Sequence, residues 1–565
     1  MVDHMSADPQ ATFCATLVDE WIRLGVRCAS IAPGSRSTPL ALAITERSEL
    51  HVEVFHDERS AAFAALGMGL ATRVPAIVLC TSGTAATHFH GAVVEAHQSG
   101  VPMLVVTADR PPELHGVGAP QTIDQHRLYG SAVRAFFEPG VATADGAAQW
   151  RALAADAWMA ASSATPGPVH LNLAFREPLV GEVGALPPTR AHDAASLDGV
   201  WPAVDVESLA ALLGSADGVI VAGEGIDDPG SVASLAGALG WPILADPRSG
   251  VGHYPGAITT ADALLRQPGF AAGHPAGVVL QLGAPPASKV VGQWLAATGS
   301  GHVAVSPYGL VSDPQLVGAI QVHAAIGQLC DQLAELVRPA VSSARRGSWV
   351  AADSIAQGVF AVMLDQADEL DDPVVARATM AALPEAANLV VSSSMPIRDI
   401  EWFSAPRADI SVFSNRGANG IDGVLATAIG VAVASERPTV VIIGDVALLH
   451  DSSSMVALAS RTVDLTIVVT DNDGGAIFSF LPQAQSMPAE RFEMLFGTPH
   501  GTDLAALAAA HRIPAVTVAT VAELRSAVAT AGSQLVRIAT ARGANVVIHQ
   551  RLHDAVADAL RVAGY

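Results

Sequence analysis

The chain has 565 residues, of which 50% are hydrophobic and only 15% are charged. Its 54 acidic residues outnumber its 31 lysine and arginine residues, so the net charge is −23, and the sequence contains no basic block. This acidity excludes nucleic acid and anionic membrane surfaces as expected partners.

Short runs of apolar and β-branched residues alternate with alanine-rich helical stretches, which is typical of parallel α/β domains. Two breaks interrupt the series, at 181–199 and at 337–349. We therefore predict three consecutive doubly wound parallel-sheet domains, at 1–185, 198–338 and 350–565. The predicted buried strands are VRCASIA, AIVLCT, PMLVVTA, PVHLNL, GVIVAG, GVVLQLG, NLVVSSS, TVVIIGD and LTIVVTDN.

The segment IAPGSRSTPLALA, residues 31–43, places Arg36 in a Pro-Gly-Ser turn between a predicted strand and a predicted helix. Pro39 suits the first turn of that helix. Backbone N–H groups at a helix start have no partner inside the helix and attract anions. The segment therefore predicts an anion site that includes Arg36.

The central part of the chain carries two weak nucleotide-binding signals. Gly223, Gly225 and Gly230 lack the spacing of a dinucleotide fingerprint, so they indicate a structural strand-to-helix turn. Lys289 is the single lysine of the chain, and APPASKV lacks the residues that surround a phosphate-loop lysine. Neither signal predicts a nucleotide site.

The strongest signal lies in VVIIGDVALLHDSSSM and LTIVVTDNDGGAIFSF. Asp445 and Asn472 each follow a predicted buried strand, and their separation of 27 residues fits one βαβ unit. Because the carboxyl ends of parallel strands meet at one sheet edge, we expect their oxygen atoms to suit Mg²⁺ bound with a diphosphate. Two acidic turns that only cap helices are the alternative.

This GD…N motif resembles the signature of thiamine-diphosphate enzymes, which have pyrimidine-binding, central and diphosphate-binding domains. The resemblance implies thiamine diphosphate as cofactor and a metal site of Asp445, Asn472 and the Gly474 carbonyl, holding Mg²⁺ or alternatively Mn²⁺. The usual signature reads GDG…NN, whereas Val446 and Asp471 replace the second glycine and the first asparagine here.

The same resemblance calls for a glutamate that hydrogen-bonds the aminopyrimidine ring of the cofactor and relays a proton. Glu58 in VFHDERSAAFAALGMGLA matches it, at a predicted strand-to-helix junction. From the residues alone, Glu58 could equally be a first-turn residue favoured by the helix dipole.

Further motifs narrow the resemblance. The 2-succinyl-5-enolpyruvyl-6-hydroxy-3-cyclohexene-1-carboxylate synthases of menaquinone (vitamin K2) biosynthesis carry motifs similar to APGSRSTPLALA, DERSAAFAALGMGLA, TSGTAATH, TADRPPELHGVGAPQTIDQ, GPVHLNLAFREPL, SNRGANGIDG and GDVALLHDSS. This implies a transferase that decarboxylates 2-oxoglutarate and adds the resulting carbanion to isochorismate. Another thiamine-diphosphate decarboxylase or carboligase, and a non-catalytic cofactor-binding paralogue, are the alternatives.

The substrates of that family carry carboxylates, which arginine binds in a bidentate manner. The resemblance assigns Ser394, Arg398 and Arg416 to the part derived from 2-oxoglutarate, Ser35, Arg36, Arg110 and Gln121 to isochorismate, and Ile421, Gly444, Ile477 and Phe478 to the cofactor. It makes Glu58, Arg36, Arg398 and Arg416 the catalytic residues. Relatives place a Lys-Arg pair near the substrate, whereas this chain has Lys289-Val290.

The family also implies self-association, as a homodimer or homotetramer with the active site at the interface. The four cysteines form no CxxC pair, which is typical of a reduced chain, and we expect a cytoplasmic enzyme. No apolar run reaches the roughly 18 residues of a membrane span, and the polar start MVDHMSADPQ does not resemble a signal peptide.

Overall fold

The computed structural model of the protein describes residues 8–189, 204–215, 217–298, 301–337 and 344–565. Three six-stranded parallel sheets follow one another along the chain, which confirms the predicted fold class. The described residues form two compact units: those within 1–200, 415–437 and 449–463 form unit 1, and those within 201–414, 438–448 and 464–565 form unit 2. No described helix is both long and apolar enough to cross a bilayer.

The first sheet belongs to unit 1. Its strands are β1 (Cys28–Ile31), β2 (His51–Val54), β3 (Ala76–Cys80), β4 (Met103–Asp109), β5 (Phe136–Phe137) and β6 (Pro168–Ala174), in the order β2-β1-β3-β4-β6-β5. The helices of unit 1 are Pro9–Arg23, Thr38–Thr45, Glu58–Thr72, Thr84–Thr87, His90–Ser99, Ala147–Ser162, Val424–Ser435 and Ser454–Leu458. Both β3 and β4 are buried throughout, as expected of apolar strands in a parallel sheet.

The second sheet belongs to unit 2. Its strands are β7 (Gly218–Ala222), β8 (Ile243–Ala245), β9 (Ala257–Ile258), β10 (Val278–Leu282), β11 (Gly301–Ser306) and β12 (Ile320–His323), in the order β12-β11-β10-β7-β8-β9. The helices in this part are Val206–Gly214, Pro229–Leu239, Ala261–Leu265, Pro268–Gly273, Lys289–Ala297 and Ile326–Leu336.

The turn after β7 agrees with the structural role predicted for its glycines. An added Cβ on Gly223 would lie 1.6 Å from the carbonyl oxygen of Ala284, so the two backbones touch. Asp228 caps the next helix and accepts the N–H groups of Gly230 and Ser231. The start of that helix is therefore already occupied by a carboxylate of the chain itself.

The third sheet also belongs to unit 2. Its strands are β13 (Asn388–Val391), β14 (Ser411–Phe413), β15 (Thr439–Gly444), β16 (Leu465–Asp471), β17 (Ala515–Val518) and β18 (Gln534–Ala539), in the order β14-β13-β15-β16-β18-β17. The helices in this part are Ala344–Met363, Asp372–Ala382, Met395–Phe403, Asp445–His450, Gln483–Ser486, Ala489–Phe492, Leu504–Ala510, Val521–Val528 and Arg542–Val562.

The second predicted break, 337–349, is too long. Residues 344–349 already belong to the helix Ala344–Met363. Trp349 is 1% exposed there and packs edge-to-face on Phe270, with ring centroids 4.8 Å apart, which gives the helix start a buried anchor. The rest of this break, 338–343, and most of the first break lie outside the described residues, so the domain limits stay predictions.

Two helices of unit 1 cross at glycines, although more than half of the chain separates them in sequence. An added Cβ on Gly67, in Glu58–Thr72, would lie 2.1 Å from the carbonyl oxygen of Thr427. One on Gly430, in Val424–Ser435, would lie 2.0 Å from that of Ala64. Only glycine lets these backbones approach so closely.

We expect Gly430→Ala to destabilise unit 1 by about 1–3 kcal/mol or more, because the methyl group would push the two helices apart. Differential scanning calorimetry measures the change. Gly358→Ala is the control, since it is helical and an added Cβ would meet nothing within 4 Å. Equal melting temperatures for both variants would contradict the close crossing.

Candidate active site

The carboxyl edge of the third sheet brings the predicted metal-binding residues together. The neighbouring strands β15 and β16 pair in parallel, with Gly444 opposite Thr470. Asp445 follows β15 and is 1% exposed. Its Oδ2 accepts the backbone N–H groups of Asn472 at 3.1 Å and Gly474 at 2.9 Å. The proximity of Asp445 and Asn472 that the strand pattern predicts is therefore present.

The oxygen atoms of this edge fit a divalent cation. The side-chain Oδ1 of Asn472 is buried and has no hydrogen-bond partner among the described residues. Gly474 has a φ of 141°, and an added Cβ would lie 1.9 Å from the Gly497 carbonyl oxygen. Burial raises the pKa of the Asp445 carboxyl, although backbone N–H groups partly oppose the shift. A cation here would balance the buried charge and give the Asn472 oxygen a partner.

His500 lies at the same edge, although the sequence pattern offered no signal for it. Its Nε2 is 3.3 Å from Asp445 Oδ2, and its Nδ1 accepts the N–H of Thr502 at 3.0 Å. Because Nδ1 accepts a hydrogen bond, Nε2 carries the hydrogen and donates it to the carboxylate. Asp471 also lies close, but one of its oxygens accepts a 2.6 Å hydrogen bond from Arg537. His500 therefore supports the Asp445 carboxylate.

A second group of predicted residues lies at the carboxyl edge of the first sheet. The adjacent strands β1, β3 and β4 lead there into the segments that carry Arg36, Thr81 and Arg110. Thr81 Oγ1 accepts the backbone N–H of Arg36 at 3.2 Å. An added Cβ on Gly34 would lie 2.3 Å from the Thr81 side chain, so glycine lets the turn before Arg36 lie against this loop.

Arg36 and Arg110 both have unused hydrogen-bond donors. Arg36 is 4% exposed and donates to the carbonyl oxygen of Phe175 at 3.0 Å and to Glu177 at 3.3 Å. The Nε atoms of both arginines are buried without a partner among the described residues. Burial lowers the pKa of Arg36, and the positive charge of Arg110 lowers it further. Two neighbouring guanidinium groups with unused donors favour an anion beside them.

Glu58 is the first residue of the helix that follows β2, as its predicted junction position requires. The preceding residue, Asp57, caps this helix and accepts the hydroxyl of Ser453 at 2.7 Å. Glu58 is half-buried. Burial raises the pKa of the Cys80 thiol, and the negative charge of Glu58 adds to that shift. The structure therefore places the Glu58 carboxylate near the end of β3.

The other predicted residues of unit 1 lie in loops. Ser35 and Gln121 are exposed. Arg416 and Ile421 belong to the loop that precedes the helix Val424–Ser435 and are both partly exposed. All four are thus accessible to a ligand.

In unit 2, Arg398 Nη1 donates to the backbone carbonyl of Ser394, and burial lowers the Arg398 pKa. Ser394 has a φ of 76°, a strained conformation for a residue with a side chain, and such strain is concentrated at functional sites. Ile477 and Phe478 lie in the short helical turn directly after the metal motif. Lys289 is exposed at the first position of its helix.

Comparison with known proteins places the chain in a known class of enzymes. Three family models match in succession: the N-terminal TPP binding domain of thiamine pyrophosphate enzymes at 12–128, their middle domain at 204–391 and their C-terminal TPP binding domain at 397–540. Benzoylformate decarboxylase from Polynucleobacter necessarius shares the fold, with a TM-score of 0.72 and 18% identity over 94% of this chain and 99% of that chain. The fold and the matched domains define a thiamine-diphosphate enzyme.

Relatives that span nearly the whole chain narrow this class. The 2-succinyl-5-enolpyruvyl-6-hydroxy-3-cyclohexene-1-carboxylate synthase of Myxococcus xanthus is 40% identical over 98% of this chain and 99% of the relative. The synthase of the same name from Thermobifida fusca is 40% identical over 98% of this chain and all of the relative. The chain belongs to the family of 2-succinyl-5-enolpyruvyl-6-hydroxy-3-cyclohexene-1-carboxylate synthases.

Proposed function

We propose that the protein carries out the reaction of this family. It decarboxylates 2-oxoglutarate and joins the remaining four-carbon unit to isochorismate, which yields 2-succinyl-5-enolpyruvyl-6-hydroxy-3-cyclohexene-1-carboxylate and CO₂ for menaquinone biosynthesis. The observation that carries this proposal is 40% identity to a synthase of that name over 98% of the chain. The two sheet edges add residues whose chemistry suits the substrates and the cofactor.

We propose Asp445, Asn472 and the Gly474 carbonyl as ligands of Mg²⁺, or alternatively Mn²⁺, with Gly444 against the cofactor diphosphate. The unpartnered Oδ1 of Asn472 and the buried Asp445 carboxylate support this assignment. Thiamine diphosphate would supply a nucleophilic carbon and an electron sink for the loss of CO₂. Glu58 would hydrogen-bond a ring nitrogen of its aminopyrimidine and relay a proton to it.

Apolar side chains complete the proposed cofactor site. Ile421 would contact the cofactor and restrict its conformation, and Ile477 and Phe478 would line the pocket beside it. Ile477 and Phe478 directly follow the proposed metal ligands in the chain, which supports their placement. Their apolar surfaces would also exclude water from the reacting carbon.

The proposed substrate site uses arginine for its planar, bidentate donors. Arg398, Ser394 and Arg416 would bind the distal carboxylate derived from 2-oxoglutarate, and the half-buried position of Arg398, whose pKa burial lowers, supports this role. Arg36 and Arg110 would bind a carboxylate of isochorismate with their guanidinium groups, whose buried Nε atoms have no partner among the described residues. Ser35 and Gln121 would make further contacts to isochorismate, and Lys289 would bind the substrate.

We further propose a homodimer or homotetramer in which the active site forms between chains. This rests on the family, in which the first domain of one chain and the third domain of another share the active site; Glu58 lies in the first matched domain and Asp445 in the third. We also propose the cytoplasm as the working compartment, since all four cysteines are unpaired and buried thiols.

The direct test of the reaction combines the protein with Mg²⁺, thiamine diphosphate, 2-oxoglutarate and isochorismate. We expect the absorbance of isochorismate to fall, and one molecule of CO₂ to be released for each molecule of isochorismate consumed. CO₂ release without loss of isochorismate would instead indicate a 2-oxoacid decarboxylase. No consumption of either substrate would indicate a cofactor-binding paralogue without activity.

We expect Arg36→Ala to raise the KM for isochorismate by roughly 10- to 150-fold, because a charge-assisted contact of about 1.5–3 kcal/mol is lost. CO₂ release from 2-oxoglutarate alone should stay nearly intact, and Arg36→Lys should recover only part of the loss. Steady-state kinetics with each substrate varied, together with the rate of CO₂ release without isochorismate, measures both effects.

The ion pair with Glu177 provides the control for Arg36. The Glu177 side chain is 74% exposed, so the pair contributes little to stability, and Glu177→Gln should leave the KM for isochorismate near that of wild type. An equal fall of both half-reactions in Arg36→Ala, with a lower melting temperature, would make Arg36 a structural residue of the turn.

A further inference from the structure

Glu95 is a buried carboxylate that binds a distant loop of the same unit. It lies in the helix His90–Ser99 and is 1% exposed. Its Oε1 accepts the backbone N–H of Gly417 at 2.8 Å, and its Oε2 accepts those of Ala418 at 2.6 Å and Asn419 at 2.8 Å. The hydroxyl of Ser99 donates to Oε1 at 2.8 Å. Three successive peptide N–H groups therefore share one carboxylate.

The approach of the loop to this helix is close. An added Cβ on Gly417 would lie 2.5 Å from Ser99 Oγ and 2.8 Å from Gln98 Cβ, so a larger residue would push the loop away from Glu95. The partners of Glu95 are neutral N–H and O–H groups rather than a cation. A buried carboxylate without a cationic partner is stable in its charged form only when all of its hydrogen bonds are formed.

The bound segment lies between two residues of the proposed active site. Arg416 immediately precedes it, and Ile421 follows it by two residues. The Asn419 side chain donates to the carbonyl oxygen of Asp422 at 2.5 Å, which ties the far end of the loop as well. Hydrogen bonds to three successive N–H groups restrict the backbone dihedral angles between Arg416 and Ile421.

We propose that Glu95 is a positioning residue that holds residues 417–419 and thereby orients Arg416 toward the substrate and Ile421 toward the cofactor. The first part rests on contacts within unit 1, and the second part rests on the proposed function. Glu95 itself touches neither substrate nor cofactor in this assignment. It acts by lowering the number of conformations available to the loop before a ligand binds.

Hydrogen–deuterium exchange tests the first part without any substrate. Glu95→Gln replaces one accepting oxygen with a donor, so at least one loop N–H loses its acceptor. We expect the amides of residues 417–419 to exchange at least about 10-fold faster than in wild type. Gly417→Ala should produce the same change by displacing the loop. Unchanged exchange in folded Glu95→Gln would overturn the proposal.

Kinetics test the second part. We expect Glu95→Gln to raise the KM for 2-oxoglutarate by about 10-fold while the KM for isochorismate changes less than about 2-fold, since Arg36 and Arg110 lie on other loops. Glu20→Gln is the matched control. Glu20 is also fully buried in unit 1 but pairs with Arg151. Loss of this ion pair should lower the melting temperature, and the two KM values should not change by different factors.

The two measurements separate failure of this proposal from failure of the proposed function. If wild-type protein does not consume 2-oxoglutarate, the proposed function is wrong, and amide exchange still decides whether Glu95 holds the loop. If wild type is active and Glu95→Gln changes both KM values as Glu20→Gln does, Glu95 is only structural and the proposal is wrong.

Discussion

The Asp445→Ala variant is expected to lose tight binding of thiamine diphosphate, with a dissociation constant raised by more than about 100-fold. Removing a residue that merely supports a metal ligand already costs about 10- to 100-fold in affinity, and Asp445 would be a charged ligand itself. The carboxylate also accepts the N–H groups of Asn472 and Gly474, so its loss would loosen the other proposed ligands. Titration calorimetry with Mg²⁺ and thiamine diphosphate measures the affinity.

Two further variants make this result specific. Asp445→Asn keeps the size and one accepting oxygen but removes the charge, so it should remain folded and still bind the cofactor weakly. Asp473 is an exposed neighbour that accepts the backbone N–H groups of His500 and Gly501 at 2.8 Å. The Asp473→Asn variant should bind thiamine diphosphate with nearly the affinity of wild type. Wild-type affinity in folded Asp445→Ala would remove Asp445 from the metal site.

The Glu58→Gln variant is expected to activate the cofactor about 100-fold more slowly or worse, the range for loss of a proton-transfer group. Glutamine keeps the volume and can hydrogen-bond the aminopyrimidine ring, but it cannot relay a proton to that ring. Binding of the cofactor should change little. Hydrogen–deuterium exchange at the thiazolium carbon, followed by NMR, measures activation separately from turnover.

Glu53→Gln serves as the control for Glu58, because Glu53 lies on the preceding strand and pairs with Arg461 and His51. Its loss should affect stability while thiazolium exchange stays at the wild-type rate. Wild-type exchange in Glu58→Gln, with the cofactor bound, would leave Glu58 as a helix-start residue without a role in activation.

The buried strands could be predicted from the sequence, whereas several edge strands could not. β4 and β16 are buried along their whole length. A parallel strand that is covered on both faces needs apolar residues at nearly every position, and such a run is visible in the sequence. The edge strand β2 has half-buried and exposed positions, and β5 and β9 have two residues each. Such strands are held by pairing with a neighbour, and this leaves little pattern in the sequence.

The contacts of the candidate site could likewise be predicted only in part from the sequence. Asp445 and Asn472 could be predicted to meet, because each ends a strand and one βαβ unit separates them. His500 and Glu95 could not, since neither belongs to a strand end and their partners lie 55 and up to 324 residues away. Contacts of this kind depend on how loops lie against the sheets.

By itself, the sequence determined the fold class, the motif of the proposed metal site and the family resemblance. Hydrophobic periodicity, residue spacing and residue type are all properties of the local sequence. Only the tertiary structure decided that the Nε atoms of Arg36 and Arg110 are both buried without a partner among the described residues. It also decided that Glu95 holds the loop after Arg416. The physical reason is that burial and hydrogen-bond partners arise from segments far apart in sequence, whose approach no local pattern records.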